Sequence, residues 1–120
     1  MSVCYTLWNA TKRERISFAH TNASSAWEIA GQPAAAALAA WYMIQNSGDA
    51  ISILPEGACP PSLRVSTVDP SSLPDRTDHY VDLLIAEGIL EDFGFIFRDR
   101  DEPDAVYIRD LRNVWNEHDA

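Results

Sequence analysis

Cysteine and glycine are both scarce in this sequence, and their scarcity excludes several kinds of site. Its 120 residues include two cysteines, Cys4 and Cys59, too few for a disulfide framework or for a zinc site built from cysteine alone. Five glycines leave few places where backbone could wrap closely around a phosphate. The glycine-rich phosphate loop, the GxSxG elbow and the HExxH pair are all absent. We therefore expect no catalytic residue, no metal and no cofactor.

The sequence also lacks a long apolar segment. Its longest nearly uninterrupted apolar run, residues 33–44, is well short of the about 20 residues that a membrane-spanning helix needs. Residues 1–8 show no basic leader followed by an apolar stretch and a small-residue cleavage site. We expect a cytoplasmic protein that does not interact with membranes.

Positive charge is in short supply, above all in the second half of the chain. The sequence has 18 Asp and Glu against 9 Lys and Arg, and residues 61–120 hold fourteen of the acids but only six arginines. Such a surface repels a phosphate backbone, so we expect no direct binding of nucleic acid. Two interpretations of the acids remain open: they keep a small domain soluble, or they form a face that docks on a basic protein partner.

The hydrophobic pattern predicts an α+β fold. Hydrophobic residues make up 47% of the chain, enough for the core of one domain spanning residues 1–120. Locally paired strands mixed with two main helices indicate an antiparallel or mixed sheet. The predicted elements are a hairpin (residues 3–8 and 13–18), a short helix (26–30), a long helix (33–46), a strand (50–54), a helix (75–87), a second hairpin (93–97 and 105–108) and a short terminal helix that includes Leu111, Val114 and Trp115.

Three further expectations concern burial and the proline-rich segment. The long helix has almost no polar residue between positions 34 and 44, so we expect it to be covered on nearly all sides, with Trp41 in the centre of the domain. Cys4 is expected to be a small buried apolar residue. Residues 55–74 contain six of the prolines and glycines and should be mostly loop, with an edge strand at 63–68.

Four polar residues at the start of the predicted helix 75–87 have the spacing of one helix face. Asp75, Asp78, His79 and Asp82 lie three or four positions apart, and carboxylates with an imidazole can bind a divalent cation. This cluster supports one alternative function, a small metal- or carboxylate-dependent enzyme. Acids are also favoured at a helix N-terminus without any metal, because the positive end of the helix dipole stabilises them.

The order of the last elements resembles the last helix and wing of a winged-helix DNA-binding domain. The resemblance covers the helix from Asp75, the stop at Gly88 and the hairpin that follows. A helix that reads DNA needs Arg, Lys, Asn or Gln toward the bases, whereas this one has Arg76 followed by Asp78 and Asp82. An acidic mimic of DNA, acting as a regulator, is therefore a second alternative.

A compact acidic chain without enzyme motifs, opening with the run YTLWNATKRE at residues 5–14, resembles the small immunity proteins that bacteria keep against antagonistic toxins. The resemblance implies a non-enzymatic protein, an immunity protein or inhibitor, that neutralises a toxin or enzyme through its surface. The acidic half of the chain would then dock on a partner with a basic surface. The candidate partner-binding residues are Asp75, Asp78 and Asp82 on the helix and Asp99, Asp101, Glu102 and Asp104 in the second hairpin connection.

Overall fold

The part of the chain that the structure describes folds into a three-stranded sheet, four helices and a two-stranded hairpin. The computed structural model describes residues 3–64, 69 and 72–115. Both sheets are antiparallel, which confirms the predicted α+β fold. The elements are β1 (Tyr5–Asn9), β2 (Glu14–Ile16), α1 (Ala26–Gly31), α2 (Pro33–Gln45), β3 (Ile51–Pro55), α3 (Pro61–Arg64), α4 (Thr77–Ala86), β4 (Leu90–Arg98) and β5 (Tyr107–Asn113).

The first sheet has the strand order β2-β1-β3, with β1 in the middle. The predicted hairpin is confirmed: β1 pairs with β2 through Leu7 opposite Ile16, and with β3 through Leu7 opposite Ile53. In the turn between β1 and β2, the side-chain oxygen of Asn9 accepts a hydrogen bond of 2.9 Å from the Lys12 amide. Leu7 and Ile16 are fully buried, so the inner face of this sheet forms one side of the core.

Helices α1 and α2 follow each other with a single residue, Gln32, between them. Helix α1 begins with a capping box in which the Ser25 hydroxyl accepts from the Glu28 amide and the Glu28 carboxylate accepts from the Ser25 amide. Helix α2 begins at Pro33, whose fixed φ suits the first turn. Both helices start where they were predicted to start, and each ends within one residue of its predicted end.

The predicted position of Trp41 in the centre of the domain is wrong. Ala35, Leu38 and Tyr42 are the buried residues of α2, and Trp41 is only partly buried. Met43 and Ile44 are 49% and 62% exposed, so the helix is not covered on nearly all sides. The reason is geometric: residues that recur every three or four positions share one face, and a domain this small has elements to cover only that face of α2.

Two further expectations, one about Cys4 and one about residues 63–68, are corrected. Cys4 is exposed because it lies just before β1, in an isolated bridge to Ser25 at the rim of the sheet. The segment predicted as an edge strand at 63–68 begins instead within the helical turn α3, where Pro61 occupies the first turn. Leu63 packs with Trp8 and Leu73 in a second, smaller core. Residues 65–68 lie outside the described residues.

Helix α4 begins two residues later than predicted because the chain before it pairs with β2. The Arg15 amide donates to the Pro74 carbonyl at 2.9 Å, and the Arg76 amide donates to the Arg15 carbonyl at 2.8 Å. The helix ends at Ala86, one residue before the predicted end, and Gly88 follows as the expected stop with a φ of +79° that suits glycine. Amides of Gly88 and Ile89 donate to the carbonyls of Ile85 and Leu84 at 3.1 and 3.0 Å, the pattern of a Schellman motif.

The second predicted hairpin is confirmed, and its strands are longer than expected. Leu111 belongs to β5, where it lies opposite Asp92. The prediction that Leu111 is part of a terminal helix is therefore wrong. Leu90 and Val114 are the buried residues at the base of this hairpin, and a bond of 2.9 Å from the Val114 amide to the Ile89 carbonyl closes it. Residues 116–120 lie outside the described residues.

None of the helices in the described ranges is long and apolar enough to cross a membrane.

Candidate functional site

The β4–β5 hairpin leaves a group of large hydrophobic side chains exposed. Phe93, Phe95, Ile96 and Phe97 are each between 49% and 54% exposed, and only Leu90 of β4 is buried. Scattered exposed hydrophobic residues are ordinary, but several adjacent ones usually mark a surface that contacts another molecule. We name these four side chains the β4 aromatic patch.

Two irregularities in β4 determine how the aromatic patch is presented. The pairing register shifts between Asp92 and Phe95 and again between Phe95 and Phe97. Gly94, with φ of +112°, occupies the first irregularity, where its amide donates to the Asp92 carboxylate at 2.9 Å. Each β-bulge inserts a residue and so breaks the strict alternation of faces. The bulged strand therefore projects aromatic side chains from both faces of the hairpin.

Arginine side chains cover part of the aromatic patch. The guanidinium carbon of Arg98 lies 4.7 Å from the centre of the Phe95 ring, and that of Arg112 lies 4.4 Å from the centre of the Phe93 ring. Phe95 also meets the Tyr107 ring edge-on, with 5.4 Å between ring centres. These contacts hold the rings in defined positions while about half of each phenylalanine stays accessible.

His20 attaches the hairpin to the rest of the domain. Its ring stacks on Tyr107 with 3.9 Å between ring centres and 5° between planes. Its Nδ1 lies 3.1 Å from the Tyr107 carbonyl oxygen, and its own carbonyl accepts from the Arg109 amide at 2.9 Å. His20 has a φ of +64°, which is uncommon for a residue other than glycine. Sequence reasoning gave this histidine no structural role, because nothing local indicates its contact with a strand 87 positions away.

Asp82, one of the predicted partner-binding residues, takes part in the same attachment. The Arg109 guanidinium lies 3.7 Å from the Asp82 carboxylate and 2.8 Å from the Asp92 carboxylate. The Arg109 and Asp92 side chains are 15% and 33% exposed, so this pair is partly desolvated, whereas the Asp82 side chain is 70% exposed. Asp82 therefore forms a surface ion pair between α4 and the hairpin.

Asp75 is likewise engaged within the fold. Its carboxylate accepts hydrogen bonds from the Ser17 hydroxyl, from the Thr77 hydroxyl at 2.6 Å and from the Thr77 amide at 3.1 Å. Burial favours the neutral acid, but these hydrogen bonds outweigh it and lower the pKa of Asp75 below its usual range. Asp75 precedes α4 and connects it to the end of β2.

The helical metal cluster considered from the sequence does not form. Asp75 lies outside α4, and within residues 3–64, 69 and 72–115 no three His, Cys, Asp or Glu side chains are placed so that they could hold a metal ion. The rings of His79 and Tyr80 are nearly perpendicular, with 5.3 Å between their centres. Asp78 is an exposed acid in the first turn of α4.

The acidic connection of the hairpin is a structured turn. One Asp99 carboxylate oxygen accepts from the amides of Asp101 and Glu102 at 2.8 and 3.0 Å. Across the turn, the Arg98 guanidinium donates to the Pro103 carbonyl and to the Asp104 carboxylate at 3.0 and 3.1 Å. Asp101 and Glu102 are exposed, and among the described residues nothing binds their carboxylates. Of the seven predicted contact acids, Asp78, Asp101 and Glu102 thus keep their charge available to a partner.

A separate cleft lies where α2, the end of α4 and the end of β5 meet. Its volume is about 420 Å³, and its walls are two tryptophans, a carboxylate and two other side chains: Trp41, Trp115, Glu87, Ile89 and Asn113. Sequence reasoning missed this cleft, since Trp41 was expected in the core and Trp115 in a terminal helix. It also missed the exposure of the β4 aromatic patch, because a run such as FGFIF is usually a buried strand.

Comparisons of the chain with protein-family models, with characterised proteins and with solved structures find no match.

Proposed function

We propose that the protein is a non-enzymatic inhibitor that neutralises a protein partner with a basic surface, and that the β4–β5 hairpin is its contact surface. The observation that carries the proposal is the β4 aromatic patch, half exposed on a strand that ends in an acidic turn. A partner toxin, held inactive as the resemblance to immunity proteins implies, is the partner class that we propose. A cytoplasmic location and the absence of nucleic acid and membrane contacts belong to the same proposal.

The aromatic patch supports a protein partner because protein interfaces use such residues as anchors. Aromatic side chains are enriched at the centre of interfaces, where a few of them provide most of the binding free energy. Phe95 and Phe97 lose little conformational freedom on binding, since the first is already held by Arg98 and Tyr107 and the second lies in a paired strand. A partner that covers this patch would bury surface that the free protein leaves in water.

The acidic turn supports a partner that is basic. Asp101 and Glu102 are exposed in the turn that follows β4, on a chain whose formal net charge is −9. Charges at the rim of an interface mainly accelerate association and select the partner, and they contribute less to the lifetime of the complex. The proposal therefore assigns two tasks to the hairpin: the acids speed the encounter and the aromatic side chains hold the complex together.

The first experiment identifies the partner by photo-crosslinking in the cells that encode the protein. A photoreactive phenylalanine analogue replaces Phe97 in one variant and Glu56, an exposed acid after β3, in the control. We expect one basic protein to be crosslinked from position 97 and not from position 56. If the two positions capture the same proteins, the hairpin is not the contact surface and the proposal fails.

The second experiment measures binding kinetics with the partner so identified. Asp101→Lys with Glu102→Lys should lower the association rate about tenfold at low salt, whereas Glu56→Lys should change it much less. Phe97→Ser should raise Kd by about thirtyfold or more through faster dissociation, with Ile44→Ser on α2 as its matched control. A mimic of DNA would depend on the acids, Asp78 included, and would tolerate Phe97→Ser, which would contradict the proposed hairpin anchor.

A further inference from the structure

The cleft between Trp41 and Trp115 shares no residue with the acidic turn. Its walls come from α2, the C-terminal end of α4 and the end of β5. We infer that it receives the guanidinium group of an arginine side chain from the protein partner. The inference deepens the proposed function and rests on it for the identity of the partner as a basic protein, but the chemistry of the cleft can be tested without that partner.

Two indole side chains give the cleft its affinity for a cation. Trp115 is 55% exposed and Trp41 is partly buried, so each can present ring surface to the cleft while remaining attached to the fold. Tryptophan is the best aromatic partner for a cation, because the negative face of its large ring attracts positive charge. Arginine is the cation most often found over such rings, and its planar group can also stack on them.

Glu87 adds a carboxylate to the same cleft, in a position where the helix itself is negative. It is the C-cap residue of α4, whose last turn contains no basic residue. The C-terminal end of a helix carries partial negative charge, so a cation is favoured there and an acid is not. Among the described residues, no side chain forms an ion pair or hydrogen bond with the Glu87 carboxylate. The Glu87 carboxylate and the C-terminal end of α4 together create a negative potential, which a bound cation would offset.

Hydrogen bonds order the main chain that carries the residues of the cleft. The Trp115 amide donates to the Asn113 side-chain oxygen at 3.1 Å, and the Val114 amide donates to the Ile89 carbonyl at 2.9 Å. On the other side, the Schellman motif at Gly88 fixes the chain that follows Glu87. A site that is already formed loses little conformational entropy on binding, which favours the ligand.

A guanidinium group fits these walls better than an ammonium group. It is flat, so it can lie against an indole, and its N–H groups fan out in one plane toward a carboxylate such as that of Glu87. An ammonium group is more strongly hydrated and binds a carboxylate as a point charge, so leaving water costs it more. The cleft should therefore prefer arginine to lysine, and both to a neutral side chain of the same shape.

The experiment is an NMR titration of the whole chain with single amino-acid derivatives. The probes are N-acetyl-arginine methylamide, its lysine counterpart and N-acetyl-citrulline methylamide, a neutral molecule with the shape of arginine. The four tryptophans give four indole N–H signals, of which Trp8 is buried and Trp27 is 90% exposed elsewhere. We expect the arginine probe to shift the signals of Trp41 and Trp115 and to leave those of Trp8 and Trp27 in place.

Three comparisons decide the inference. Citrulline should bind about tenfold more weakly than arginine, the factor that corresponds to about 1.4 kcal/mol, within the range known for a desolvated cation over a ring. Glu87→Gln and Trp115→Leu should each weaken arginine binding about fivefold or more, whereas Trp27→Leu should not change it. Equal binding of arginine and citrulline, a stronger response to lysine, or shifts centred on Trp27 would overturn the inference.

The outcome is separable from that of the proposed function. If the arginine probe does not bind at the cleft but Phe97→Ser still weakens the complex with the partner, the cleft inference fails and the hairpin proposal stands. If the probe binds at the cleft but photo-crosslinking from position 97 finds no specific partner, the hairpin proposal fails and the cleft inference stands. Both variants used at the cleft alter exposed side chains, so their folding can be confirmed from the unchanged amide signals of β1 and β3.

Discussion

The hydroxyl group of Tyr42 should contribute measurably to the stability of the fold, and Tyr42→Phe removes it with little change in shape. Tyr42 is fully buried, and its hydroxyl donates to the Glu14 carboxylate at 2.5 Å. Glu14 is itself only 8% exposed, and its other oxygen is 3.3 Å from the Arg76 guanidinium. A hydrogen bond to a charged group contributes about 1.5–3 kcal/mol. We expect Tyr42→Phe to lower the free energy of unfolding by about 2 kcal/mol.

The same contact predicts a specific dependence on pH. Burial, and then the hydrogen bond to Glu14, raise the pKa of Tyr42 well above its ordinary value. A tyrosine in the unfolded chain loses its proton near pH 10, whereas the folded protein keeps it. The stabilisation is therefore fully present below about pH 10 and is lost as pH rises toward the folded pKa, with a slope of up to about 1.4 kcal/mol per pH unit. Tyr42→Phe should remove this part of the alkaline decline.

The measurement is urea denaturation of both proteins, first at neutral pH and then in steps above pH 9. Tyr107→Phe is the matched control, because the Tyr107 ring stacks on His20 while no described residue binds its hydroxyl. That variant should change stability by less than about 0.5 kcal/mol. The reasoning is refuted if Tyr42→Phe is as stable as the original chain at neutral pH, or if both proteins lose stability equally as pH rises.

Two other contacts give predictions of different kinds. Asp75→Asn should lower the free energy of unfolding by about 1–2 kcal/mol at neutral pH, because it weakens the hydrogen bonds from Ser17 and Thr77. Since the folded pKa of Asp75 is lowered, its stabilisation is present above about pH 4 and lost as pH falls through the folded value. Denaturation at a series of acidic pH values should show that the difference in free energy of unfolding between the original protein and Asp75→Asn shrinks as pH falls. A difference that stays constant would contradict this account. His20→Ala should increase hydrogen exchange of the β4 and β5 amides about fivefold to tenfold, because the stacking on Tyr107 is lost. An equal increase in β1 and β3 would mean that His20 stabilises the whole fold and not the hairpin.

Local patterns were sufficient to predict most of the secondary structure. The capping residue Ser25, the proline at position 33 and the glycine at position 88 act within one helical turn, so their effects can be read from adjacent residues. Adjacent residues could not show whether Trp41 or Tyr42 is the one buried in the core. Both lie in an apolar run, and only the position of the sheet and of α4 decides which side of the helix is covered.

Of the candidate site on the β4–β5 hairpin, the sequence allowed us to predict only the exposed negative charge of the turn. Asp101 and Glu102 are exposed, as a charged turn between two strands suggests, but Asp75 and Asp82 are bound to partners distant in sequence. The exposed aromatic patch ran against the usual rule that a run of apolar residues forms a buried strand. Among the described residues, no third strand pairs with this hairpin, and two strands alone cannot bury both of their faces. The sequence of β4 itself does not show whether another strand lies beside it.

The buried carboxylate of Glu14 has a consequence for how β1 and β2 find their alignment. Side chains of a strand alternate between faces, so a slip by one residue would turn Ile16 toward water and bring Arg15 toward the core. It would also take Glu14 away from Tyr42 and Arg76, leaving the tyrosine hydroxyl without its acceptor. A strand of three residues has few apolar side chains with which to reject such a slip. The contacts of Glu14 therefore favour the observed alignment of β1 and β2 over an alignment shifted by one residue.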